Sequence, residues 1–147
     1  MACMQLALDD AGLAPSAIAH INAHGTSTPL NDASEAEAIV KVFNGSPPPV
    51  TSTKGVTGHL IAAAGAVEAV ASVLAVRDGM APPTANHERT DPDITIDVIA
   101  GSPRPLPGPV LSNSFGFGGH NATLVVGPAG GTGDVPPTEA AEAARTA

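Results

Sequence analysis

Residues 60 to 76 read Leu-Ile-Ala-Ala-Ala-Gly-Ala-Val-Glu-Ala-Val-Ala-Ser-Val-Leu-Ala-Val, and this run constrains the fold more than any other stretch of the chain. Apolar side chains surround it on every side of a helical wheel, so the pattern predicts a central, buried helix, from about Gly58 to Asp78, with Gly79 as the stop. Glu68 sits in its middle. A carboxylate in such a place needs a partner, because an unpaired buried charge costs several kcal/mol or is neutralised by a shift of its pKa. Lys54, in the loop just before the helix, is the natural candidate.

The rest of the chain must pack around that helix. Apolar residues make up 43% of 147, enough for one domain with a real core. Aromatics are 2%, with no Trp or Tyr, so Ala, Val, Ile and Leu must build it. A first helix is expected over 1–13, with Gly12 near its end. Ile18 to Ala23 is a strand candidate, and Thr28-Pro29-Leu30-Asn31 is turn chemistry. A helix from about Ala33 to Phe43 follows, with Asp32 placed as N-cap and Glu35 completing a capping-box pattern. Asn44-Gly45 ends it, and Pro47-Pro48-Pro49 is a loop. Val50 to Thr53 reads as a short buried strand and 81–93 as an irregular connection. Ile94 to Ile99 alternates like a strand, and Val110–Ser114 with Ala122–Val126 reads as a final strand pair. Strands alternating with helices imply an α/β layered domain over 1–127. Residues 128–147 are Pro, Gly, Thr and Ala without strong periodicity, and a mobile tail is expected.

Composition also excludes functions. Fourteen acids against six bases give a net charge of −8, which disfavours nucleic acid and anionic membrane as partners. The single cysteine, Cys3, excludes an internal disulfide and a multi-Cys zinc site, and no metal is expected. No signal peptide is visible, and the apolar run is too short to span a bilayer comfortably, so a cytoplasmic protein is expected.

Two histidines stand out. His24 follows a strand and opens a Gly-Thr-Ser-Thr loop. His59 lies at or just before the first turn of the apolar helix, where the helix dipole disfavours imidazolium. Each alone reads as a structural residue, as His20 and His87 do at surface or strand-end positions. The case rests on the segments taken together. His24-Gly25-Thr26-Ser27-Thr28, running on to Asp32 and Glu35, is similar to the first histidine loop of elongating β-ketoacyl carrier-protein synthases. Lys54-Gly55-Val56-Thr57-Gly58-His59, running into Gly65-Ala66-Val67-Glu68, resembles their second histidine block. Asn113-Ser114-Phe115-Gly116-Phe117-Gly118-Gly119 resembles their glycine-rich C-terminal loop. The order matches as well; Ala62 departs from the family's usual Gly.

The resemblance implies the C-terminal half of a thiolase-like fold, a mixed β-sheet layered against helices. It implies a decarboxylative Claisen condensation of malonyl carrier protein with an acyl thioester, in fatty-acid or polyketide synthesis. His24 and His59 would donate N–H bonds to the enolate oxygen. Lys54 and Glu68 would form the supporting ion pair, which Asp32 and Glu35 could join. The Phe117 backbone N–H would serve an oxyanion hole and its ring would gate the acyl pocket, with Phe115 a packing residue. Thr26 and Thr28 would bind the phosphopantetheine arm of the acyl carrier protein, the one prosthetic group expected and one carried by that partner.

The family's nucleophilic cysteine belongs upstream of these blocks, and Cys3 opens the helix before the first of them. The chain by itself is therefore expected to be inactive. It would need the N-terminal half or a partner chain, and the full-length family forms homodimers. The helix at 58–78 would face that missing half, leaving a large apolar patch on the isolated chain. A non-catalytic partner subunit that shapes an acyl tunnel is the alternative.

Overall fold

The computed structural model describes residues 1–129. The expected tail lies outside the described residues, apart from Pro128 and Ala129.

Helix α1 (Ala2–Ala11) ends where Gly12 turns left-handed at φ 64°, satisfying the last carbonyls. Strand β1 (His20–Asn22) leads into α2 (Pro29–Val42), then β2 (Val50–Thr51), the short α3 (Lys54–Thr57) and α4 (Ala64–Asp78). Strands β3 (Met80–Ala81) and β4 (Arg104–Pro105) pair with each other, and β5 (Val110–Phe115) and β6 (Asn121–Val126) close the chain. The main sheet has the order β2-β1-β5-β6. Strand β1 runs parallel to both β2 and β5, and β6 returns antiparallel to β5. A mixed sheet layered with helices is what the α/β reading requires.

Strand alternation gives the sheet two unlike faces. One face presents Ile21, Val50 and Leu111 to Met4 and Leu8 of α1 and to Ile39, Val42 and Phe43, forming the apolar core. The other presents His20, Asn22, Thr51 and Ser112, all buried. Helix α4 packs on β5, where this polar face lies, and turns Glu68 and Ser72 inward against it.

Four expectations need correction. The apolar run is not one helix from Gly58. Gly58 (φ 66°, ψ −178°) takes a backbone conformation closed to other residues, ends α3 and lets the chain turn before α4 begins at Ala64. Nor is α4 buried all round: Val67, Val70, Val73 and Leu74 are exposed, as the expected apolar patch requires. Asp32 does not cap α2. Pro29 starts that helix one turn earlier, with Thr28 as N-cap, because its fixed φ suits the first helical position. Ile94–Ile99 forms no strand, only a single parallel bridge from Val98 to Val50.

Candidate functional site

His24 lies just past the C-terminal end of β1 and is 7% exposed. Its place is set through the backbone. Glu35, on the inner face of α2, accepts the N–H of His24 through Oε1 and that of Gly25 through Oε2, each at 2.9 Å. Gly25 has φ 45°, and a Cβ there would stand 2.7 Å from Ser52, so only glycine fits the turn. Glu35 therefore ties down the histidine loop from a distance. The sequence pattern pointed to a helix cap, and the buried carboxylate that performs this work is a correction to that reading. Burial pushes the Glu35 carboxyl above its ordinary value, and the hydrogen bonds from Gly25, Asn113, His24 and Asn31 pull it back in part.

His59 sits in the break between α3 and α4, five residues before α4 begins, and not in the first turn of a long helix. Its ring Nδ1 accepts the backbone N–H of Ile61 at 3.2 Å. A nitrogen that accepts carries no proton, so the ring N–H is at Nε2. The donor comes at a conformational cost: Ile61 has φ 51°, a left-handed value that a β-branched residue rarely adopts.

The two rings meet edge to face, with centroids 5.3 Å apart and planes at 84°. Phe115 also packs against His24, with ring centroids 5.6 Å apart. The His24 pKa is lowered from 6.5 to about 4, by burial first, then by the nearby charge of Lys54 and of His59, with Asp32 opposing them. The His24 ring is therefore neutral at physiological pH and can donate an N–H without carrying a charge. Its Nδ1 is buried and has no hydrogen-bond partner among the described residues.

Lys54 and Glu68 form the expected ion pair, with their side chains 5% and 2% exposed. Among the described residues, Glu68 Oε2 and Asn22 Oδ1 have no hydrogen-bond partner. Thr26 and Thr28 share a hydrogen bond between their hydroxyls at 2.9 Å. With Asp32, Lys54 and His59 they line a cavity of about 530 Å³ beside the histidine pair. Phe117 is fully exposed, its ring packed against nothing in the described chain, and it does not line that cavity.

His20 is neither on the surface nor loosely placed. It is 1% exposed, and burial alone lowers its pKa to about 4. Asn22, two residues on along the same face of β1, is buried as well. Asn113 lies in the strand expected over Val110–Ser114; its complete burial and its bond to Glu35 at 3.0 Å are what the sequence reading missed. Among the described residues, no cluster of His, Cys, Asp or Glu could hold a metal ion, and no helix is long and apolar enough to cross a membrane.

The family described as beta-ketoacyl synthase, C-terminal domain, matches residues 1–88. The chain belongs to this family. Over 127 residues this ketoacyl synthase domain is 51% identical to the 3-oxoacyl-[acyl-carrier-protein] synthase 2 of Coxiella burnetii, covering 84% of this chain and 31% of that protein. Its fold is similar to that of the ishigamide ketosynthase/chain length factor (TM-score 0.82, 43% identity, 84% of this chain and 31% of that one). It is also similar to a type II polyketide ketosynthase solved in complex with its acyl-carrier protein and bound to the hexaketide (TM-score 0.79, 38% identity, again 84% and 31%). The ketoacyl synthase domain thus spans less than a third of the length of these relatives.

Proposed function

We propose that this chain supplies the half of a β-ketoacyl-ACP synthase that stabilises the enolate of malonyl-ACP during decarboxylative condensation. The bond between the malonyl α-carbon and its carboxylate breaks, CO2 leaves, and the electron pair passes into the thioester as an enolate. Two neutral N–H donors, from His24 and His59, meet the charge that builds on the thioester oxygen. The α-carbon then attacks an acyl thioester held on a cysteine of the upstream half, and as the C–C bond forms the acyl C–S bond breaks and the cysteine leaves as thiolate. In this reading the Phe117 N–H serves the oxyanion of that second step. Thr26 and Thr28, on the rim of the cavity, hold the phosphopantetheine arm. Lys54 and Glu68 support the histidines from behind. The acyl carrier protein and the upstream half are the partners, in a homodimeric, cytoplasmic assembly.

The observation that carries the proposal is the edge contact of the two rings at 5.3 Å, with His24 held neutral by burial. The test is CO2 release from malonyl-ACP by this chain combined with the upstream half of a relative. His24→Ala and His59→Ala are each expected to slow release by about 10²–10³, the loss typical of one oxyanion donor. Release at the unsubstituted rate in both variants defeats the proposal. It would favour the second reading, a non-catalytic partner subunit, which the ketosynthase/chain length factor relative keeps in view.

A further inference from the structure

We infer that Thr123 and Asn113, on the paired strands β6 and β5, are positioning residues for His24, acting through Glu35. Four contacts make up the relay. The Thr123 hydroxyl donates to Asn113 Oδ1 at 2.9 Å, across the register pair that joins the two strands. Asn113 Nδ2 donates to Glu35 Oε1 at 3.0 Å. Glu35 accepts the N–H groups of His24 and Gly25. The remaining contact of Asn113 Nδ2 is Met4 Sδ of α1 at 3.5 Å.

The chemistry fixes the direction of every link. An ionised carboxylate only accepts, so the amide nitrogen of Asn113 must face Glu35. Its carbonyl oxygen then faces Thr123, and the Thr123 hydroxyl must be the donor. Asn113 is 0% exposed, so no water can replace that hydroxyl if it is lost. Without it, the buried carbonyl is unsatisfied and the amide can turn over. Turned over, it presents an oxygen to Glu35 Oε1, and the two acceptors repel. The carboxylate must then move or take up a proton, and either change weakens its grip on the His24 loop. Thr123 touches neither histidine and lies on a strand outside both histidine segments, yet it sets the end of the chain of contacts that holds one of them. The catalytic meaning of this rests on the enolate-stabilising role proposed for His24; the relay itself does not.

The test is amide hydrogen exchange, followed by NMR on the full chain. In Thr123→Val, which keeps the shape and strand preference, the His24 and Gly25 amides should exchange about tenfold faster. Thr123→Ser, which keeps the hydroxyl, should restore slow exchange. The Ile21 amide in β1, which bonds to Pro49 O, serves as the control and should not change. Unchanged exchange at His24 and Gly25 overturns the relay, and so does equal acceleration at Ile21, since that marks a general loosening of the sheet. A measurement on the unsubstituted chain covers the case in which Thr123→Val fails to fold. The Asn113 side-chain amide protons should exchange slowly, and fast exchange there overturns the relay too. These amides report the relay whether or not His24 serves decarboxylation, so the two ideas fail separately.

Discussion

Among the described residues two glutamates are buried, Glu35 and Glu68, and they are stabilised by opposite means. Glu68 of α4 faces a cation, Lys54, and keeps one oxygen without a partner among the described residues. Glu35 of α2 faces no cation; it is surrounded by neutral N–H donors from His24, Gly25 and Asn113. The helices that carry them differ in the same way. Helix α2 is amphipathic in the ordinary sense, with Ile39 and Val42 inward and a Glu37–Lys41 pair outward. Helix α4 is inverted, with Glu68 and Ser72 inward and valines outward. A charge–charge pair in a dry place is costly to break on one side, whereas a dipole cage shares its work among several weaker bonds.

The sharpest way to break this comparison is Lys54→Met. It leaves the Glu68 carboxylate buried and alone, and is expected to cost about 3–5 kcal/mol in urea unfolding. Removing both charges, with Lys54→Met and Glu68→Leu together, should recover most of that loss. If Lys54→Met costs no more than a change at Glu35, the ranking of the two sites is wrong.

Acid should weaken the chain next. The folded His20 titrates near 4 and an exposed imidazole near 6.5. Below 6.5 the unfolded chain binds a proton that the folded chain refuses, so stability falls as pH drops from 6.5 toward 4. The fall from 6.5 to about 4 is worth up to about 3 kcal/mol. His24 acts in the same direction over the same window. Glu35 acts in the opposite one. Its folded pKa is raised, so its contribution is whole below 4.5 and declines as pH rises through the folded value. Urea unfolding of a His20→Leu variant across pH 4 to 7 should show a flatter acid slope; an unchanged slope removes His20 from the account.

Glu35→Gln tests the cage directly. The amide keeps the shape but turns an N–H2 toward one of the donors, and a loss of about 1–3 kcal/mol in unfolding free energy is expected. That is smaller than at Lys54, because the remaining donors still find one oxygen.

This difference also marks what the sequence could reveal. The Lys54–Glu68 pair was legible, since one carboxylate in an apolar run with a lysine in the loop just before it leaves few alternatives. Strands β1 and β2 fall within the stretches marked in the sequence, and β5 and β6 match theirs to within one residue. Glu35 was not legible. Its spacing from Asp32 fits a capping box, and only Pro29, which starts the helix earlier, places it deep enough to reach the His24 loop. The break at 58–63 was missed for a related reason. Hydrophobic periodicity registers which residues are apolar, but the left-handed turn at Ile61 has no signature in side-chain type. Gly58 was the one available sign. His20 is the strand-end residue that the sequence suggested, at the start of β1, but its burial depends on tertiary packing and has no local signature.

The smallest effect is expected on the outward face of α4, and there the comparison of helices can be tightened. Val70 is 60% exposed while Ile39 of α2 is 0% exposed. Trimming the inward residue, Ile39→Val, should cost about 0.5–1.5 kcal/mol through lost contacts and the cavity left behind. Val70→Ser, although it exchanges an apolar for a polar side chain, should stay within about 0.5 kcal/mol in the isolated chain, because it removes almost nothing that is packed. The same change should instead lower self-association, which sedimentation velocity can follow, since Val67, Val70 and Val73 form one exposed apolar stripe. If Val70→Ser destabilises the isolated chain as much as Ile39→Val does, the stripe is covered within the chain itself, and α4 is not the inverted helix described above.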